Sequence, residues 1–233
     1  MGYRIPAFEL RPYMNVVELA KTRVMPLTGQ PYSFDMTPYF EEPCRFLDDV
    51  ASTCRVVISA PSQSGKSEIM LNFVAHIAIY DPAPSLLIMD TSNNSYKFSS
   101  GRVKPLLRDF VKLPAFEDTS ISNRNDDKKK AVSEYSLSNN SPLYIGGSVS
   151  LSDLCSKPCK YLVLDELARF YEGKEGSSVD LALKRQMRFR GMALLTSTPT
   201  VADNYITQYW RSGTAQTWGV ICPDCGKWFV CHY

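Results

Sequence analysis

The stretch between residues 55 and 79 limits the fold of this chain most. Arg55-Val56-Val57-Ile58-Ser59 is rich in β-branched residues and ends in a small one, the pattern of a strand buried on both faces. A short loop, residues 60–67, leads into a helical pattern over 68–79, which Asp81-Pro82-Ala83-Pro84 ends. The alternation then repeats. Residues 85–90, 161–165 and 193–197 read as further buried strands, and 96–110 (interrupted at Pro105), 178–189 and 205–211 read as helices. Residues 132–137 and 143–147 flank Asn139-Asn140-Ser141-Pro142 as a hairpin. Strands alternating with helices imply an α/β fold with a mostly parallel sheet flanked by helices. Upstream, a short helix is expected at 16–21, an irregular stretch at 26–39 and a helix at 41–49. The polar run 122–130 reads as a mobile loop, 217–221 as a last strand, and a cysteine knuckle ends the chain.

This pattern divides the 233 residues into an N-terminal extension (1–50), a core (51–215) and the knuckle (216–233). A net charge of +2 is too small to argue for a nucleic-acid partner by itself. No apolar run approaches the roughly 18 residues of a membrane span, and the N-terminus lacks the apolar segment of a signal peptide. Seven cysteines, an odd number without a secretory signal, point to a reducing compartment rather than a disulfide framework.

The loop Ala60-Pro61-Ser62-Gln63-Ser64-Gly65-Lys66-Ser67 stands where a phosphate-binding loop must stand, between a strand and a helix. Backbone N–H groups at a helix N-terminus favour an anion. Gly65 allows close approach, Lys66 supplies a point charge, and the Ser67 hydroxyl suits Mg²⁺. Gln63, Ser64 and Glu68 complete the expected nucleotide-contacting set. Ala60 replaces the usual first glycine, so a coincidental Gly-Lys-Ser is the competing reading. The strand 161–165 decides between them, because it ends in Asp165-Glu166. Asp165 is expected to hold Mg²⁺ and Glu166 to activate the attacking water, which makes ATP the expected cofactor. Ser197 and Thr198, at the end of a neighbouring strand, are candidates to sense the γ-phosphate. Phosphoryl transfer also calls for an arginine, and Arg102, Arg185, Arg188 and Arg190 are the candidates, against the plain alternative of a solvated basic face. Cys222-Pro223-Asp224-Cys225-Gly226 is half of a zinc knuckle that Cys231 and His232 could complete, although adjacent ligands seldom reach one metal together. Cys155 and Cys159 read as structural thiols.

In this order the motifs resemble the phage-lambda-type terminase large subunit, the motor that packages viral DNA. The resemblance is carried by Thr37 to Pro43, Ser62 to Glu68, Phe98 to Pro105, Gly146 to Ser152, Asp165-Glu166, Arg169-Phe170, Ser197-Thr198-Pro199-Thr200 and the cysteine knuckle. It implies a P-loop NTPase of the ASCE/RecA-like type. It also implies a homo-oligomeric ring on double-stranded DNA, with a terminase small subunit and the portal of the procapsid as partners in the host cytoplasm. A nuclease domain would follow the knuckle, so this polypeptide is not expected to cut DNA. An adenine-side segment would lie around Tyr32 and Tyr39. DNA contact would need a local patch, such as 128–130 or 185–190. Two other readings stay open: a helicase-type remodelling ATPase, which needs a second such domain, and a degenerate nucleotide-binding scaffold.

Overall fold

The computed structural model describes residues 12–51, 54–113, 132–150, 157–170, 172–173, 176–186, 188–201 and 203–230. Its strands, in chain order, are β1 (Arg55–Ser59), β2 (Ser85–Met89), β3 (Val132–Ser136), β4 (Pro142–Gly147), β5 (Tyr161–Asp165), the two-residue pieces β6 (Glu172–Gly173) and β7 (Gly176–Ser177), β8 (Ala193–Ser197), β9 (Gly219–Ile221) and β10 (Trp228–Val230). Six of them form one sheet in the order β1-β8-β5-β2-β4-β3. All neighbours run parallel except β3, which pairs antiparallel with β4 as the expected hairpin. The late strand β8 is inserted between β1 and β5. Ser59 therefore lies beside Ser197, and Asp165 beside Thr196, at the C-terminal ends of their strands.

Both faces of the sheet are covered, which is why its central strands read as unbroken apolar runs. Side chains alternate between the faces. Leu87, Tyr161, Val163 and Leu194 join the core shared with α1 (Val16–Lys21) and α3 (Lys66–Tyr80). Leu86, Ile88, Leu162, Leu164, Ala193 and Leu195 join the core shared with the helices Ser178–Leu183 and Tyr205–Arg211. α3 is buried almost all round, because the sheet covers one side and the N-terminal extension the other. Each apolar side chain that leaves water this way is worth about 1.5–3 kcal/mol. Besides Lys66, two polar residues of α3 are buried: Asn72, whose amide oxygen accepts from Arg23 while its nitrogen has no hydrogen-bond partner, and His76, which meets the Met14 carbonyl. No described helix is long and apolar enough to cross a membrane.

Several boundaries differ from expectation. α2 (Glu41–Arg45) stops short of residue 49. α4 starts early, at Ser92–Phe98, because Thr91 caps it through the Asn94 N–H. The expected helix over 96–110 then continues as the wider π-helical turns Ser99–Val103 and Leu106–Val111 around Pro105. The helix expected over 178–189 ends at Leu183 and tightens into a 3₁₀ turn, Lys184–Gln186. The sheet edge captures it there: the Arg185 carbonyl accepts from the Cys159 N–H, and the Gln186 amide donates to the carbonyls of Lys160 and Met192. The strand expected at 217–221 is the shorter β9, and it is not the last, since β10 follows and pairs with it. The expected loop 122–130, Cys155 and Cys231 lie outside the described residues.

Candidate nucleotide site

The C-terminal edge of the sheet gathers the expected residues. Between β1 and α3 the chain turns sharply, with Gln63 at φ 60° and Gly65 at φ 96°. Gly65 is the N-cap of α3, and no side chain caps that helix. The first N–H groups of a 15-residue helix are thus left for an external acceptor, and the helix dipole favours an anion there. A Cβ on Gly65 would lie 3.2 Å from the Thr37 methyl, and a side chain would also resist that φ. The Ser64 hydroxyl donates to the Pro61 carbonyl, which braces the turn from within.

Lys66 is buried, and its ammonium lies in the concavity of the loop. It donates to the carbonyls of Ala60 (3.0 Å) and Pro61 (2.7 Å) and to the Thr198 hydroxyl (2.9 Å). Burial pulls its pKa down, while Glu166 and Asp165 pull the other way. Asp165 is buried at the end of β5, and burial pushes its carboxyl up to about 6 despite a 2.7 Å hydrogen bond from the Thr196 hydroxyl. A carboxylate held dry beside a loop that suits phosphate fits a hard cation, and the Ser67 hydroxyl supplies a second oxygen of the same chemistry. Glu166 follows in the left-handed region, φ 55° and ψ 43°, a conformation that costs a non-glycine residue energy and recurs at working sites. Its Oε2 is buried without a hydrogen-bond partner.

Other expected residues fall into distinct places. Thr198 touches Lys66, but the Ser197 hydroxyl is turned to the backbone, accepting from the Ala168 N–H and donating to the Thr198 carbonyl. Tyr39 reaches the loop: its hydroxyl donates to the Ser64 carbonyl, and its ring meets the edge of Trp218. Tyr32, by contrast, is buried against Phe34 and the Arg23 guanidinium. Glu68 faces two arginines, Arg23 at 2.6 Å and Arg102 at 3.4 Å. A carboxylate so placed would repel a phosphate, so it acts as an anchor that holds Arg102 near the first turn of α3.

Arg185 is the clear displacement. It precedes β8, at the N-terminal edge of the sheet, and a five-residue strand separates that edge from the phosphate loop by about 13 Å. The chain's own nucleotide site therefore does not include it, nor Arg188 and Arg190, which follow on the same edge. Sequence reasoning misses Arg169 as a functional candidate, yet its guanidinium lies 3.9 Å from both Glu166 and Asp90. It misses Thr196 and Asp90 as well. Asp90 is buried at the end of β2, with its carboxylate accepting from the Thr91 N–H and the Asn94 amide. A strand-ending aspartate is the only sequence signal for it.

At the chain's end, β9 and β10 hold Cys222 and Cys225 in a tight turn closed by the Gly226 N–H on the Cys222 carbonyl. Backbone N–H groups of Cys225 and Asp224 hold the Cys222 thiol below its usual pKa. Among the described residues no group of three or more potential ligands surrounds a metal position.

The family model for the ATPase domain of the phage terminase large subunit gpA matches residues 28–233. Among solved structures, the large terminase of bacteriophage HK97 aligns with a TM-score of 0.63 and 13% identity, over 86% of this chain and 40% of that one. The large terminase of a thermophilic bacteriophage, solved in complex with ADP, aligns with a TM-score of 0.51 and 14% identity, over 79% of this chain and 43% of that one. At such identities the likeness is one of fold, and the chain spans about two fifths of these relatives' length. Comparison with curated proteins gives no match.

Proposed function

Because the chain belongs to the family of ATPase domains of phage terminase large subunits, we propose that it hydrolyses ATP to drive double-stranded DNA into a procapsid. The observation that carries this reading is the uncapped N-terminus of α3, which begins at Lys66, with Asp165 at the end of β5 two places from β1 and Glu166 just after it. In this proposal the loop 60–67 binds the β- and γ-phosphates through backbone N–H groups and Lys66. Ser67 and Asp165 would hold Mg²⁺, which supplies charge neutralisation on the phosphate oxygens. Glu166 accepts the proton of the attacking water through its carboxylate, whose Oε2 makes no hydrogen bond within the chain. Arg169 steadies Glu166, Glu68 holds Arg102 toward the first turn of α3, and Tyr39 lies on the adenine side. The strand β8 between β1 and β5 supports the additional-strand, catalytic-glutamate type of P-loop domain. Ring assembly, a small subunit and a portal are proposed partners. Zinc is proposed at Cys222 and Cys225, completed by Cys231; a metal assay giving near zero zinc per chain would remove it.

The direct test is phosphate release by the purified chain with ATP, with Mg²⁺ or with chelator, and with or without duplex DNA. Mg²⁺-dependent turnover that DNA stimulates is expected. Mg²⁺-dependent turnover indifferent to DNA would favour a different ATPase role, and no turnover under any condition would favour the scaffold.

A further inference from the structure

The exposed basic residues outside the phosphate loop include single ones, such as Lys97 and Lys227, and one group that is close in sequence. Lys184, Arg185, Arg188 and Arg190 lie within seven residues of sequence shortly before β8, at the N-terminal edge of the sheet and away from the candidate nucleotide site. Lys184, Arg188 and Arg190 are exposed. Among the described residues, no carboxylate pairs with any of these three, and Arg190 reaches only the Ala51 carbonyl. Elsewhere the surface cations are often paired: Arg45 with Glu41, Arg108 with Asp109, Arg211 with Asp203 and Lys160 with Asp81.

The described residues of this group are also held in place. Gln186 ties them to the carbonyls that precede β5 and β8, and the Phe189 N–H donates to the Gln186 carbonyl. Gly191 presses against the Lys160 carbonyl so closely that a Cβ there would lie 1.8 Å away. A solvated basic face needs none of this bracing. Cations left unpaired on a braced backbone lose little order when they meet an array of phosphates, and they release the counterions of that array. Arg55 adds a further exposed cation at the start of β1, on the same edge, with its guanidinium stacked on the Tyr209 ring.

We infer that Lys184, Arg188 and Arg190 form a contact surface for the phosphate backbone of duplex DNA. The inference rests on the motor reading and adds to it a place where the motor meets its track, on the edge of the sheet remote from ATP. Contacts of this kind carry no base preference.

The test is duplex DNA binding by the whole chain across a salt series, comparing wild type with the double variant Lys184→Gln, Arg188→Gln. A control, Lys97→Gln with Lys227→Gln, makes the same charge change at exposed positions elsewhere. The Lys184 and Arg188 variant is expected to lower the magnitude of the log–log salt slope by about 1.8 and to weaken binding roughly tenfold or more at low salt. Its thermal midpoint and its DNA-free ATP turnover stay at wild-type values, and the control binds like wild type. Wild-type affinity and slope in that variant would overturn the inference and leave the motor reading intact. Equal loss in the control would reduce the surface to bulk charge. Lost DNA-free turnover with DNA affinity retained would assign the surface to a neighbouring subunit instead. A wild-type chain that binds no duplex even at low salt would overturn both the contact surface and the DNA half of the proposed function.

Discussion

Asp165→Asn should make the nucleotide-free domain more stable at pH 8, although it removes a residue of the proposed nucleotide site. Burial raises the Asp165 carboxyl from its ordinary 3.8 to about 6, and the Thr196 hydroxyl and the Glu166 N–H offset only part of that. An acid whose folded pKa lies above its unfolded one holds its proton more tightly when folded. Its contribution to stability is therefore greatest below the unfolded pKa, falls as pH rises through the window from about 4 to 6, and is a full cost above it. About 2 pKa units at 1.36 kcal/mol each give a cost near 3 kcal/mol above pH 6. The amide keeps an acceptor for the Thr196 hydroxyl but loses the attraction of Lys66, so the net gain in the variant is about 2–3 kcal/mol. Urea denaturation of both proteins across pH 4 to 8 reads this difference, and the wild type serves as reference for every other titrating group. The gain should shrink toward zero near pH 4. A variant less stable than wild type at pH 8, or a difference that does not change with pH, would refute the reasoning that the strand end buries a carboxylate at a cost.

Gly65→Ala combines a φ of 96° with a Cβ 3.2 Å from the Thr37 methyl, so the loop must rearrange. Calorimetry with ATP should show affinity reduced at least about tenfold, since displacing the loop forfeits more than one phosphate hydrogen bond. Arg23→Met leaves Glu68 largely buried with only the longer Arg102 contact. Denaturant unfolding should show a loss of about 3–5 kcal/mol, the range for removing one partner of a buried ion pair, and a loss under 1 kcal/mol would mean that water already screens the pair.

The sheet was legible because its central strands are buried on both faces, and unbroken runs such as Leu162-Val163-Leu164 have few other uses. The placement of the candidate site was legible where a residue belongs to a local motif, as Gly65, Lys66 and Asp165 do. It was not legible where partnership comes from register between strands distant in sequence. Thr196 meets Asp165 only because β8 inserts beside β5, and no local pattern signals that insertion. Arg185 illustrates the converse. Helical periodicity placed it on a helix but could not say at which edge of the sheet that helix ends. The role of Glu68 was hidden for a similar reason, since its partner Arg23 comes from the N-terminal extension, where periodicity is weak.

The central assignment is that Glu166 activates water on a nucleotide held by the loop 60–67. It is tested most directly by Glu166→Ala, with ATP binding measured by calorimetry and turnover by phosphate release on the same preparation. Binding within about threefold of wild type, with turnover reduced by a factor of roughly 10² or more, is expected of a lost general base. Turnover as fast as wild type would contradict the assignment of Glu166, and binding lost together with turnover would place the residue in the phosphate pocket rather than in the chemistry.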